Sequence, residues 1–275
     1  MTNDYIHPKE GLAGRLLAKL ANSRRIAATR RAILSRLPFM TLESDVRDVV
    51  YLTWMVDAAT AQAMVPPGLK LWQRNGLTPF SILTYRHGGF GPTLAGPARK
   101  LLPSPLQSNW RLYLEEPGKV YFVRNVMDSA LHALGTRMFS DILPTHLPAR
   151  FSHEHDGARY TTIIEPGAGS APQLAAEASV TTERTLPPAL AQAFDSWDEA
   201  VAFLACQHEA MIKIPALGRM AVSEISLPIP LDEVLPLAPG RVDCPMIGPR
   251  AGSPFCFAVP SVHFKVLSEQ VEIPL

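Results

Sequence analysis

What this chain of 275 residues lacks narrows its chemistry first. Cysteine is scarce: Cys206, Cys244 and Cys256 are odd in number and never spaced C-x-x-C. They build neither a disulfide framework nor a zinc ribbon, and read as small buried hydrophobes in a reducing compartment. No apolar run approaches the roughly 18 residues a membrane-spanning helix needs. The N-terminus has no uninterrupted apolar core of a secretory signal, so a cytoplasmic location is expected. An excess of one charge is missing too: Lys+Arg 26 against Asp+Glu 25 leaves +1, which argues against a nucleic-acid-coating protein. His87-Gly88-Gly89-Phe90-Gly91 has the His-Gly-Gly of an esterase oxyanion loop, yet no G-x-S-x-G accompanies it. Neither G-x-G-x-x-G nor G-x-x-x-x-G-K-[ST] occurs, so the usual phosphate cradles are absent. Lysine is rare, confined to Lys9, Lys19, Lys70, Lys100, Lys119, Lys213 and Lys265.

Proline, by contrast, is abundant: 26 residues, nearly twice the usual share of about 5%. Long helical bundles are excluded, because proline is expelled from helix interiors and suits strand ends and loops. From Leu42 onward, short apolar runs alternate with turn signals such as Pro66-Pro67-Gly68, Glu116-Pro117-Gly118 and Asp156-Gly157. This is the pattern of antiparallel sheet, with a hairpin across Asp156-Gly157. Two helices interrupt it. Asp128-Ser129 caps a short one carrying Leu131, Leu134 and Met138 on one side. Ser196-Trp197-Asp198-Glu199 has the form of a capping box, followed at helical spacing by Trp197, Val201, Leu204, Ala205, His208, Met211 and Ile212. Ser261–Ile273 reads as a closing strand. His153-Glu154-His155 reads as a solvated hairpin tip rather than a metal site, since no third ligand is defined.

Residues 1–36 stand apart. Lys9, Arg15, Lys19, Arg24, Arg25, Arg30, Arg31 and Arg36 face only Asp4 and Glu10. Leu12, Leu16, Leu17, Leu20, Ile26, Ile33 and Leu34 fall mostly three or four apart, the mark of one or two amphipathic helices. A basic helical arm over 1–40 and a single domain over 41–275 follow. The arm's apolar stripe packs on its own domain, on a second subunit, or on an anionic membrane surface.

Several segments in order carry a family likeness. Trp54 and Val65-Pro66-Pro67-Gly68-Leu69 come first, then Asn109-Trp110-Arg111-Leu112-Tyr113-Leu114 and Gly118-Lys119-Val120-Tyr121-Phe122. Ala133-Leu134-Gly135-Thr136-Arg137, Leu143-Pro144-Thr145-His146, the Trp197 helix and Val262-His263-Phe264 complete the series. Together, from about Leu52 to the C-terminus, they resemble the acetoacetate decarboxylase-like superfamily, and most closely its uncharacterised YqjF-like branch. The resemblance implies an α+β fold, a mainly antiparallel sheet closed into a barrel or cone with flanking helices and a cavity inside. The decarboxylase forms an imine between a lysine and its ketone substrate, with a neighbouring lysine depressing the nucleophile's pKa. Here Thr145 and His146 occupy the lysine-pair positions and Gln107 stands near the position of an acidic residue, so decarboxylation through an imine is not expected.

Two readings of function remain. In the first, the barrel binds an organic acid or oxo compound and any reaction, lyase-like or otherwise, proceeds without a Schiff base. Arg111 would anchor the anion and His146 serve as acid or base. Asn109, Gln107 and Tyr113 would orient the ligand, since Asn109, Arg111 and Tyr113 alternate onto one strand face. Thr145, Arg137, Lys265 and His263 complete the candidate ligand shell, His263 and Lys265 sharing one face of the closing strand. In the second reading the barrel is a non-catalytic scaffold and the N-terminal helix docks to a partner. A homo-oligomer is expected; metal, cofactor and nucleic acid are not.

Overall fold

Two unusually long strands hold the architecture together. The computed structural model describes residues 3–248 and 252–272. The helices in chain order are α1 (Leu12–Ala21), α2 (Arg24–Leu34), α3 (Ala58–Gln62), α4 (Ala130–Phe139), α5 (Pro188–Ala191) and α6 (Trp197–Ala205). The strands are β1 (Leu42–Asp57), β2 (Leu77–Arg86), β3 (Gly91–Pro92), β4 (Leu106–Tyr113), β5 (Lys119–Met127), β6 (Arg150–His155), β7 (Arg159–Glu165), β8 (Leu174–Val180), β9 (Glu209–Ile214), β10 (Arg219–Ser226), β11 (Leu235–Asp243) and β12 (Phe255–Glu272). β1 and β12 pair antiparallel from Leu42↔Val266 to Thr53↔Phe255. That pairing closes the order β1-β2-β4-β5-β9-β10-β12 into a seven-stranded barrel. Only β5 and β9 run parallel within it. β11, β8, β7 and β6 continue outward from β12 as an additional sheet. The fold is α+β, as the family likeness implies. The closing strand begins at Phe255, earlier than the sequence suggests, and Ile273 lies outside the described residues.

Both faces of the central strands are covered, so β4 is buried at all its positions and β1 throughout Val49–Met55. A β-bulge separates the pairs Trp110↔Arg124 and Arg111↔Phe122. The extra residue, Val123, turns Phe122 to the same side as Asn125, and this re-aims an aromatic ring into the barrel.

The Asp156-Gly157 hairpin forms between β6 and β7, with Gly157 at φ 92. Its strand is less solvated than expected. His153 is buried, hydrogen-bonding Thr162 Oγ1 at 2.8 Å and the Asp48 carbonyl at 2.7 Å. His155 stacks on Tyr160 at 3.9 Å between ring centroids. No group of metal ligands occurs among the described residues.

Ser196 caps α6 through Glu199 N at 3.1 Å, but the helix stops at Ala205. His208 lies exposed in the connection, and Met211 and Ile212 belong to β9. Pairing of β9 with both β5 and β10 overrides the helical spacing. α4, capped by Ser129, buries Ala133 instead of Leu131 and Met138, which stay exposed.

The N-terminal arm forms two helices that pack on α4. Tyr5 is buried with Ala133 and Leu147, and its backbone N–H and carbonyl are bracketed by the Asn22 side chain. Arg31 grips Asp141 in bidentate fashion at 2.8 and 2.7 Å, and Arg30 joins the same carboxylate. The two guanidiniums hold the Asp141 carboxyl below its ordinary range against the opposing effect of burial.

Candidate functional site

The barrel encloses a cavity of about 370 Å³, a size suited to a drug-like molecule. Period-two alternation builds its polar wall. Tyr51 on β1, Leu83 and Tyr85 on β2, and Gln107, Asn109 and Arg111 on β4 all project inward. The register sets Tyr51 beside Leu83, Leu83 beside Asn109, and Tyr85 beside Gln107, which gathers the polar groups into adjoining rows. His87, just beyond β2, continues the same alternation. The remaining walls are overwhelmingly apolar, with Val46, Phe122, Ile142, Leu227, Val262 and Phe264 among them. Phe39, Leu131 and Phe139 are exposed and line the same space, which places its mouth between α4 and the chain leaving α2.

Arg111 is 3% exposed. Its Nη2 donates to the Leu204 carbonyl at 2.6 Å and its Nε to the Tyr113 hydroxyl at 3.4 Å. The guanidinium sits 5.5 Å from the ring centroid of Tyr51 and 5.3 Å from that of Tyr113. Among the described residues no carboxylate pairs with it, and its neighbours are the neutral tyrosines Tyr51 and Tyr113. A guanidinium stays protonated in proteins, so the wall carries a buried positive charge without a counter-ion. Nearby, the Tyr51 hydroxyl is buried without a hydrogen-bond partner, and burial pushes its pKa up to about 12 despite the opposing pull of Arg111.

The rest of the wall is one hydrogen-bonded chain of neutral groups. Ser44 Oγ meets His87 Nδ1 at 2.9 Å, and His87 Nε2 meets Gln107 Oε1 at 2.6 Å. Gln107 Nε2 donates to Asn125 Oδ1 at 2.7 Å and Asn109 Oδ1 at 3.2 Å. Asn125 Nδ2 then reaches Thr145 Oγ1 at 2.6 Å, and Asn109 Nδ2 reaches the Tyr85 hydroxyl at 3.3 Å. Because both Gln107 amide protons face carboxamide oxygens, its Oε1 must accept, which assigns the ring proton of His87 to Nε2. Both imidazole nitrogens are thus engaged.

Burial pushes the His87 pKa down to about 4, with the Gln107 hydrogen bond opposing. The folded state holds the neutral ring while the unfolded chain titrates near 6.5. Stability is therefore expected to fall as pH drops from 6.5 to 4, by up to about 3 kcal/mol from this group. His146 and His153, also depressed by burial, act in the same direction. Urea unfolding across that window checks the slope, which His87→Gln should flatten.

The sequence-derived candidates separate cleanly in space. Gln107, Asn109 and Arg111 share the cavity wall. Tyr113 lies beyond Arg111, hydrogen-bonding Ser81 Oγ at 2.8 Å and the Leu204 carbonyl at 3.0 Å. Thr145 stands behind the wall on Asn125 and Thr136. His146 does not line the cavity. Its backbone bridges β5 at Val126, and its ring turns toward the connection between β7 and β8, where Nδ1 meets Ser170 Oγ at 2.7 Å, itself bonded to Ile6 N, and Nε2 is buried without a partner. Arg137 faces the N-terminal segment, donating to the Thr145, Pro144 and Asn3 carbonyls at 2.6, 3.1 and 2.7 Å. His263 and Lys265 do share a face of β12, but it is the outer one, where they meet Asp45 and Glu43. No lysine lines the cavity among the described residues. Tyr51 and Tyr85 escaped the sequence reading, and His87 was weighed there only as part of an esterase-like loop.

The closed seven-stranded barrel with its added sheet and helices has the acetoacetate decarboxylase-like fold. Within that class the chain belongs to the DUF2071 family of uncharacterized conserved proteins, matched over residues 43–210. No curated protein matches it. Solved structures share the fold. An acetoacetate decarboxylase-like enzyme from Sphingomonas wittichii RW1 superposes with a TM-score of 0.54 at 12% identity, covering 87% of this chain and 96% of that one. Acetoacetate decarboxylase from Legionella pneumophila gives 0.53 at 12% identity, covering 84% and 87%. The enduracididine biosynthesis enzyme MppR, in complex with the condensation product of pyruvate and imidazole 4-carboxaldehyde, gives 0.53 at 14% identity, covering 85% and 89%.

Proposed function

We propose that the protein binds an amphipathic organic acid in the barrel cavity, with its carboxylate on Arg111 and its apolar body against the opposite walls. The observation that carries this is the buried guanidinium of Arg111 on a cavity wall without a carboxylate partner. An unpaired buried ion costs several kcal/mol, and a ligand carboxylate supplies the missing charge through charge-assisted hydrogen bonds. The Tyr51 hydroxyl, without a partner, and the Tyr85 hydroxyl, which accepts from Asn109 and so keeps its own proton to donate, offer further contacts to an acid or an oxo group. That MppR has been captured with pyruvate supports an oxo acid as one member of the class.

Glu269, at another part of the lining, orients the ligand by exclusion. Its carboxylate accepts from Ser140 Oγ at 2.6 Å and Asp141 N at 2.5 Å, and in its ionised form it repels the carboxylate end of a ligand. Any chemistry here proceeds without an imine, because the wall presents amides, hydroxyls, one guanidinium, the imidazoles of His87 and His132 and the Glu269 carboxylate, where the decarboxylase mechanism requires an amine.

Calorimetric titration of octanoate against octanol tests the reading. The acid should bind at least about ten-fold more tightly, the equivalent of one charge-assisted hydrogen bond. Equal affinities would remove Arg111 as anchor. Borohydride with a panel of β-keto acids should leave the mass of the protein unchanged, and a lysine adduct would overturn the imine-free assignment.

A further inference from the structure

The N-terminal arm packs the wrong way round for an ordinary surface helix. An amphipathic helix normally buries its leucines and shows its polar face. α1 buries Gly14 and leaves Leu12, Leu16 and Leu20, one turn apart, at 67%, 54% and 49% exposure. Further apolar side chains stand exposed in the last turn of α2 and just past it, where Ile33 and Leu37 are 55% and 58% exposed. Interleaved with these are the exposed side chains of Lys9, Arg15, Lys19, Arg24, Arg25 and Arg36. None of these six is ion-paired among the described residues; only Arg30 and Arg31 are, on Asp141. Asp4 and Glu10 are the arm's acidic residues, leaving the surface strongly positive.

We propose that this arm docks the protein on an anionic lipid surface, leucines in the acyl boundary and basic side chains among the headgroups. Exposed leucines ringed by arginine and lysine fit an interfacial helix, whose binding adds apolar burial to electrostatic attraction. A second copy of the chain is a poorer occupant, because an isologous contact would set this positive patch against itself. The position of the arm gives docking a consequence. It packs on α4, whose exposed Leu131 and Phe139 line the cavity mouth, and Phe39 follows it directly in the chain. An amphipathic acid partitioned in the surface would then have a short path into the barrel. Docking itself does not depend on the ligand assignment.

The test is co-sedimentation of the full chain with phosphatidylcholine vesicles and with vesicles containing about one-third phosphatidylserine. Recovery should rise at least about ten-fold on the anionic vesicles and fall as salt approaches 1 M, where the Debye length shrinks to about 3 Å. Leu16→Glu/Leu20→Glu should lower that recovery at least about ten-fold. Both positions are solvent-exposed, so its melting temperature and octanoate affinity should match the parent. Arg15→Ala/Lys19→Ala should weaken anionic binding by a similar factor. Equal recovery on both vesicle types overturns the proposal, as does undiminished binding by the glutamate variant. So does an oligomer, seen by light scattering, that the glutamate variant dissociates while the parent ignores vesicles, since the stripe would then be a subunit interface.

Discussion

Arg111→Met should weaken octanoate binding by about 100-fold or more, roughly 2.7 kcal/mol, while leaving the fold nearly as stable as the parent. The affinity loss follows from the setting: removing one member of a desolvated charge pair costs about 2–5 kcal/mol, and in this wall no other cation stands ready to replace it. Stability should respond differently. The substitution forfeits hydrogen bonds from a charged donor to the Leu204 carbonyl and the Tyr113 hydroxyl, worth about 1–3 kcal/mol, although that carbonyl keeps the Tyr113 hydroxyl as a partner. It also removes a buried charge that no carboxylate of the described residues compensates, and the two effects oppose. A net change within about 2 kcal/mol is expected, against the 3–5 kcal/mol typical when a buried ion pair is broken. Calorimetry and urea unfolding on one preparation separate the terms. Unchanged octanoate affinity would place the anchor elsewhere; a loss of stability above about 4 kcal/mol would make Arg111 a structural strut between β4 and the end of α6.

The same two-sided character of the strands decides how much of the site is legible in the sequence. Asn109 and Arg111 were legible because alternate residues of a strand share a face, and Gln107, singled out by the family likeness, obeys the same rule on β4, whereas Tyr113 at the strand's end lies beyond the cavity. His87 obeys the rule too, two residues after Tyr85 and four after Leu83, but lies past the end of β2, where the neighbouring glycines suggest a loop. Tyr51 was hidden for another reason: Val49–Met55 is buried on both sides, so the strand reads as uniformly apolar and no alternation marks the inner face. That His263 and Lys265 share a face followed from their spacing. Which face it is depends on barrel closure, which puts Asp45 opposite His263 and Glu43 opposite Lys265. His146 shows the limit of a family likeness. The likeness led to the expectation that it faces the cavity, yet its backbone bridges Val126 and its ring does not line that space. α6 ended earlier than its spacing implied because Met211 and Ile212 satisfy a strand in the sheet as readily as a helix face.

Trp110→Ala should produce the reverse of the Arg111 result: a stability loss of about 3–5 kcal/mol with the ligand wall intact in whatever fraction remains folded. The two residues are adjacent in sequence and point to opposite sides of β4. Trp110 is fully buried, packs edge-on to Phe80 at 6.4 Å, and donates from its indole nitrogen to Ser108 Oγ at 3.1 Å. Alanine there deletes a large apolar side chain and leaves a cavity that the flanking β2 and β5 can fill only by distorting the barrel. Phe or Leu should recover much of the loss by restoring volume, whereas Ser108→Ala should cost about 1 kcal/mol as a single hydrogen bond. Urea unfolding measures the stabilities, and octanoate titration of the folded fraction measures the wall. If Trp110→Ala abolished octanoate affinity at temperatures where the protein stayed folded, the two faces of β4 would be coupled. The separation of core from site, on which the choice of Arg111 as anchor rests, would then fail.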